Sequence, residues 1–431
     1  MFPMRIIKIV GLSLAVSVLT MLSFHPAHAA GLDGLKNWLS DNYLTEFNGF
    51  VETRGGVRLQ DDPYQRDGSL GEARLQLDLN TDLDWAIIKF KGDFLGDLVM
   101  EEVKAELREL NLAFSPMEIM DAKIGRQVMT WGTGDLLFIN DLFPKDWESF
   151  FIGRDDEYLK APSDAIKTSL FLDMFDMDLV YVPLFNESVY IDGSRISYWN
   201  GSAIVGRNSI MDDDERNSVF RDDEVHARLS KNIDGLELAA YGYHGFWKTP
   251  EGVIPAGSKL FYPRLTVAGA SLRTTLLGGI GNVELGYYES RDDRDGSDPL
   301  VRNSETRFLT GFERELARNF TGGFQYYLEY MQDYSEYEQT SLPATRKDEF
   351  RHLLTVRLTR LLMNQNLRLS VFAFYSPSDE DGYLRPKVHY KVNDQLAVDG
   401  GVNWFFGKEE HTFFGQFEDA SNVYAGVRWN F

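Results

Sequence analysis

Arg351, Arg357, Arg368, Arg385, Lys387, Lys391 and Arg428 recur in the last third of this chain, within stretches such as "LTVRLTRL", "NLRLSVFAFY" and "YLRPKVHYKV". Cations there alternate with apolar residues, and period-two alternation places them on one face of a strand. Acids are scarce on the same stretches, Asp399 being the chief one. The chemistry such a face offers is electrostatic. Fixed cations lining a narrow, low-dielectric passage concentrate anions and repel cations. Nearer the N-terminus both signs occur. Arg54, Arg58, Arg74, Lys89, Lys91 and Arg228 are opposed by Glu52, Asp78, Asp93, Glu237, Glu284 and Glu329. There a ladder of cross-strand ion pairs is the simpler expectation.

Covalent chemistry is poorly represented. The chain has no cysteine, which removes disulfides, thiolate metal sites and a thiol nucleophile. It has no G-x-S-x-G, no H-E-x-x-H and no phosphate-binding loop, and His226, His244, His352, His389 and His411 are scattered. No catalytic residues and no cofactor are expected. Asp293, Asp295 and Asp298 in "DRDGSD" have the alternate carboxylates of a calcium loop, but ordinary turn chemistry explains that pattern more often.

The cations need a scaffold, and the whole chain reads as strands. "FNGFVETRGGVRL" sets Phe47, Gly49, Val51, Val57 and Leu59 against Asn48, Glu52, Arg54 and Arg58. "EARLQLDLN" and "SNVYAGVRWNF" repeat the pattern, and no amphipathic helix of ordinary length interrupts it. Spacers alternate as well. Short ones ("TDLD", "DMFD", "KNID", "GGIG", "LARN", "LMNQ", "KVND") carry tight-turn residues, and between them fall 60–71, 133–164, 186–222, 249–258, 291–303, 334–347, 377–382 and 408–419. An all-β fold follows: a transmembrane, antiparallel, up-and-down barrel of about 18 strands (16–20 fit), with short periplasmic turns and long extracellular loops. Residues 85–114 and 164–186 are its weakest strands.

The N-terminus supports export. Arg5 and Lys8 precede an apolar run and an Ala-x-Ala site ending at Ala29, the pattern of a cleaved leader over 1–29. A short periplasmic segment over 30–44 and one barrel domain over 45–431 complete the organisation. Without the leader's two cations the balance is 42 − 66 = −24, which excludes a nucleic-acid binder. Trp429 and Phe431 alternate apolar-out on the last strand, so that strand is expected to close the barrel; these terminal aromatics also resemble the C-terminal signature of bacterial outer-membrane proteins, which implies recognition by the barrel assembly machinery. The expected location is the outer membrane of a Gram-negative bacterium. Membrane lipid, lipopolysaccharide and a small or oligomeric anionic solute are the expected partners.

Residues 133–164 are too apolar for a free loop: Leu136, Leu137, Phe138, Ile139, Leu142, Phe143, Trp147, Phe150, Phe151 and Ile152. Such a loop is expected to fold inward as a constriction or plug. "GRQ" at 125–127, "WG" at 131–132, "ND" at 140–141, Pro144 and Asp146 resemble the alginate-export-type porins and related large outer-membrane porins. The resemblance implies a barrel that passes a solute, with Arg126 among the cations guiding anionic cargo. The first half lacks a dense arginine path, which argues against alginate itself. The functional expectation is a passive channel for polar or anionic solutes. Alternatives are an outer-membrane component of an export or lipid-handling system and, less favoured, a barrel enzyme or adhesin.

Overall fold

The computed structural model describes residues 45–254 and 259–431, so the leader and the 30–44 segment lie outside the described residues. Eighteen antiparallel strands form one sheet. They are β1 Glu46–Arg58, β2 Gly68–Asp82, β3 Ile87–Asp97, β4 Glu102–Met117, β5 Met120–Val128, β6 Pro162–Phe171, β7 Asp176–Val182, β8 Glu224–Ile233 and β9 Leu236–Phe246. The second half comprises β10 Arg264–Leu276, β11 Gly279–Ser290, β12 Glu305–Ala317, β13 Phe320–Met331, β14 Phe350–Leu362, β15 Leu367–Ser376, β16 Asp381–Lys391, β17 Leu396–Gly407 and β18 Asn422–Asn430.

Each strand pairs with its sequence neighbour, and β1 pairs with β18 from Phe50↔Asn430 to Arg58↔Asn422, so the sheet closes. Closure leaves no unpaired edge, as a strand in hydrocarbon requires. Among the described residues no helix is long and apolar enough to cross a membrane. The outward face carries exposed apolar residues such as Phe94, Leu285 and Trp404. Its two-residue turns use local chemistry: Asp234 and Gly235 both have positive φ, the backbone that matches hairpin twist.

One of the two stretches that alternation marks least clearly, residues 85–114, has a structural cause. Between β3 and β4 the register shifts, from Lys91↔Glu109 to Gly92↔Leu107. The extra residue turns Arg108 and Glu109 both inward, and both are buried. A bulge of this kind breaks the period-two signal without breaking the strand. The apolar core lies inside the barrel, where the β5–β6 connection meets lumen-facing Tyr288, Leu309, Leu353, Phe374, Tyr383 and Phe405.

Candidate functional site: the inward loop and the lumen wall

The β5–β6 connection folds into the lumen and is tied to several strands of the wall. Its first anchor is Glu284 of β11, a buried carboxylate with no cation within 4.0 Å among the described residues. Glu284 accepts from the Thr133 N–H and from the Thr133 hydroxyl at 2.9 Å. It also accepts from the Gly134 N–H at 2.7 Å, the Asn140 N–H at 3.3 Å and the Asn140 amide at 2.9 Å. The next anchor is Asp135, paired with Arg357 at 2.5 Å, its backbone N–H and C=O both bound by Gln325 of β13.

A short helix, α1 Trp147–Ile152, then presents its rings to β15–β17. Asp146 caps it, accepting from the Ser149 N–H at 2.7 Å. Phe150 packs edge-on to Tyr383 at 5.8 Å, and Phe151 to Phe405 at 5.2 Å. Gly153 ends the helix at φ 92°. A Cβ there would lie 2.3 Å from the Tyr424 ring, so glycine is required by backbone and space together. Arg154 ties the chain to the wall just beyond the β1–β18 seam, donating to Glu72 of β2 from Nε at 2.9 Å. Arg74 stands over the Tyr158 ring at 4.0 Å, and Gln76 donates to the Tyr158 hydroxyl at 2.9 Å.

This geometry explains the "GRQ…WG" stretch in structural terms. Gly125 has φ 119°, and a Cβ would sit 2.3 Å from the Leu110 carbonyl. Gln127 is buried and donates to the Ala165 carbonyl at 3.1 Å. Trp131 packs edge-on to Phe143 at 5.1 Å. Asp141 accepts from Thr130 at 2.7 Å and from Lys145 at 3.0 Å. Together these residues turn a strand end into an inward loop.

Arg126 corrects the expectation that it lines the pore. It pairs in register with Leu110 and Asp164, beside exposed Ile124 and Ile166, and so stands on the outward face. There it forms an ion pair with Asp164 at 2.6 Å. The other seven cations are on the lumen side, but most are already matched. Arg351 pairs with Asp379 at 2.6 Å, Lys391 with Asp394 at 2.9 Å at a turn, and Arg428 with Glu52 at 2.8 Å. Arg385 pairs with Asp156 at 3.1 Å and is buried under the Phe150 ring, so it does not meet pore water as a free charge. Arg368 and Lys387 alone of the seven have no carboxylate within 4.0 Å among the described residues. The acids that sequence could not place, Asp135, Asp155 and Asp156, come from the inward loop. The ladder expected in the first half is present, with Arg54 held by Glu52 and Asp399 at 2.8 Å each and Arg74 by Asp93 at 2.5 Å.

Asp155 stands in the connection, outside the strands. Burial opposes its charge, but Lys387, Arg428 and Arg54 outweigh burial and hold its carboxyl at about 2. Such a group stabilises docking above its unfolded value of about 3.9, and that contribution is lost as pH falls through about 2. Single-channel conductance should therefore be constant from about pH 7 to about pH 4 and become noisy only near about pH 2. Asp155→Asn should show the noise already at neutral pH. A quiet variant trace would remove Asp155 from the docking account.

Among the described residues no group of three or more ligating side chains could hold a metal ion. Asp293 and Asp298 instead accept from the Ser297 and Leu300 N–H groups, at 3.1 and 3.0 Å, and Asp295 from the Ser297 hydroxyl at 2.9 Å. That is turn chemistry.

No protein-family model matches this chain, and no curated protein does. Solved structures do. Pseudomonas aeruginosa OccK5 (OpdH) is 10% identical with TM-score 0.54, covering 90% of this chain and 98% of that one. Acinetobacter baumannii OccAB3 is 11% identical with TM-score 0.53, covering 89% and 98%. OccAB4 of the same organism is 8% identical with TM-score 0.54, covering 89% and 97%. The chain shares its fold with these barrels. At such identities the likeness is one of architecture, and it carries no residue-level correspondence.

Proposed function

We propose that this protein is an outer-membrane, porin-like channel through which small polar or anionic organic solutes diffuse passively. The observation that carries the reading is the pair Arg368 and Lys387. They lie on hydrogen-bonded strands β15 and β16, one step apart in register (Arg368↔His389, Ser370↔Lys387), just on the short-turn side of the docked loop. Every other member of the basic wall is held in an ion pair, and Lys387 faces the Asp155 carboxylate without touching it, so Arg368 supplies most of the unmatched positive field and Lys387 the remainder. Confinement makes that field effective, because screening operates over about 8–10 Å. Both side chains are water-accessible, so removing their charge should leave the barrel folded.

Replacing Arg368 and Lys387 together by Gln should shift the reversal potential across a salt gradient toward cation preference. The same change at Arg351 should have little effect, since Asp379 already balances it. An unchanged reversal potential in the folded double variant would falsify the anion-selective reading and leave a non-selective channel.

A further inference from the structure

The short-turn rim of the barrel is acidic along one arc and basic along another. From β2 to β7 it carries Asp82, Asp84, Glu118, Asp121, Asp173 and Asp176, all exposed and none with a cation within 4.0 Å among the described residues. Around the β12–β13 turn and the end of β14 the sign reverses. Arg314, Arg318 and Arg360 are exposed there, and none has a carboxylate within 4.0 Å among the described residues. In a chain of 66 acidic and 44 basic residues, composition does not account for three unmatched arginines side by side.

Strand parity decides which way they face. Arg314 alternates with Phe312 and Leu316 on β12, and Arg360 with Val356 and Leu358 on β14. Both therefore stand on the outward face, where Leu316, Phe324 and Leu358 are exposed around them. The neighbouring acids Glu313 and Glu315 share the opposite parity with Leu309 and belong to the lumen face. Arg314 lies opposite Gly322, and Gly322 opposite Leu358, two residues from Arg360. Two strand spacings and two residues put the arginine backbones about 12 Å apart. Gly322 places no side chain between them, and only Leu316 leans over it. Arg360 is drawn toward the turn, standing over the Phe320 ring at 5.9 Å and donating to the Arg318 carbonyl at 2.8 Å.

At this edge of an outer-membrane barrel the adjoining layer is the phospholipid headgroup region of the periplasmic leaflet. A guanidinium offers parallel N–H donors to a phosphate, and the exposed leucines and phenylalanine beside it suit acyl chains. Three cations without an acid repel the ammonium of a zwitterionic headgroup, whereas the acidic arc of the rim attracts it. The patch therefore favours a headgroup whose phosphate charge is uncompensated. We infer that Arg314, Arg318 and Arg360 form a docking site for an anionic phospholipid of the periplasmic leaflet, with its phosphate among the guanidinium groups and its acyl chains along Leu316 and Phe324. A periplasmic protein fits less well, because two of the three arginines stand on the hydrocarbon-facing side of the wall.

The test is native mass spectrometry of the full barrel, released from detergent in the presence of equimolar phosphatidylglycerol and phosphatidylethanolamine with identical acyl chains. Each arginine near a membrane surface is worth roughly fivefold in affinity for an anionic lipid, so the parent should favour phosphatidylglycerol by at least about tenfold. Arg314→Gln combined with Arg360→Gln should cut that preference by at least about tenfold, with heat-modifiability as the folding control. Lys231→Gln removes an exposed outward cation on β8, four strands from β12 on the same rim, and should keep the parent's preference. Equal binding of the two lipids by the parent would overturn the proposal, and this readout stands even where the double variant fails to fold. A parent-like preference in the folded double variant, or an equal loss in Lys231→Gln, would overturn it as well. Glycerol 1-phosphate binding as tightly as phosphatidylglycerol would do the same, by making the site one for free phosphate.

Discussion

Replacing Glu284 by Ala is expected to raise single-channel conductance several-fold while the barrel stays folded. Glu284 gathers five hydrogen bonds from the inward loop, three of them from the backbone N–H groups of Thr133, Gly134 and Asn140. Ala leaves those donors without their partner, and an orphaned buried donor costs about 1–3 kcal/mol. Rehydration recovers part of this. Even a net loss of about 3 kcal/mol would multiply the undocked population roughly a hundredfold. The strand itself loses little, because its ladder bonds with β10 and β12 are backbone. Glu284→Gln keeps one acceptor oxygen but turns an NH₂ toward donors, so an intermediate conductance is expected. Conductance and open-state noise in planar bilayers, with heat-modifiability as the folding control, decide the matter. If Glu284→Ala conducts like the parent, the loop is held elsewhere, at Asp135–Arg357 and Arg154–Glu72.

Phe431→Asp is expected to reduce the folded, heat-modifiable form to less than about a tenth of the parent's level. Phe431 exchanges backbone hydrogen bonds with Gly49 at 3.0 and 3.3 Å, and its ring stands 6.0 Å from Phe47 and 5.4 Å from Trp429. That ring covers Gly49 so closely that a Cβ there would come within 2.7 Å of it. The closing seam therefore depends on an aromatic lid at its end. Losing a large packed ring costs roughly 3–5 kcal/mol in a well-packed site, and a carboxylate on the lipid face adds to the penalty. Phe431→Tyr keeps the ring and should assemble normally. Normal assembly of Phe431→Asp would show that β1–β18 pairing alone suffices for closure.

Much of the architecture was legible in the sequence. Alternation in "SNVYAGVRWNF" and "EARLQLDLN" identified strands and the face each turns outward, and the alternation of short and long spacers identified the two ends. Alternation failed at β4, where one inserted residue puts Arg108 and Glu109 on the same side. At Arg126 the family resemblance misled where alternation did not, since the residue was read from the resemblance as a pore cation. Its parity matches Ile124 and Ile166, and those neighbours belong to the outward face.

Strand periodicity depends on each residue's own neighbours and on the two solvents the wall separates, so it survives in one dimension. Ion pairing does not. Arg357 meets Asp135 across 222 residues of chain and Arg385 meets Asp156 across 229, while the strands that carry the two arginines hold few acids of their own. A basic wall read from sequence as free charge becomes, once the loop folds in, a set of anchors with two cations left over. The sequence determined which residues face the lumen. Only the tertiary structure decided which of them remain charged toward the solute, because a Coulomb interaction depends on distance in space and on the dielectric of the gap, and the inward loop sets both.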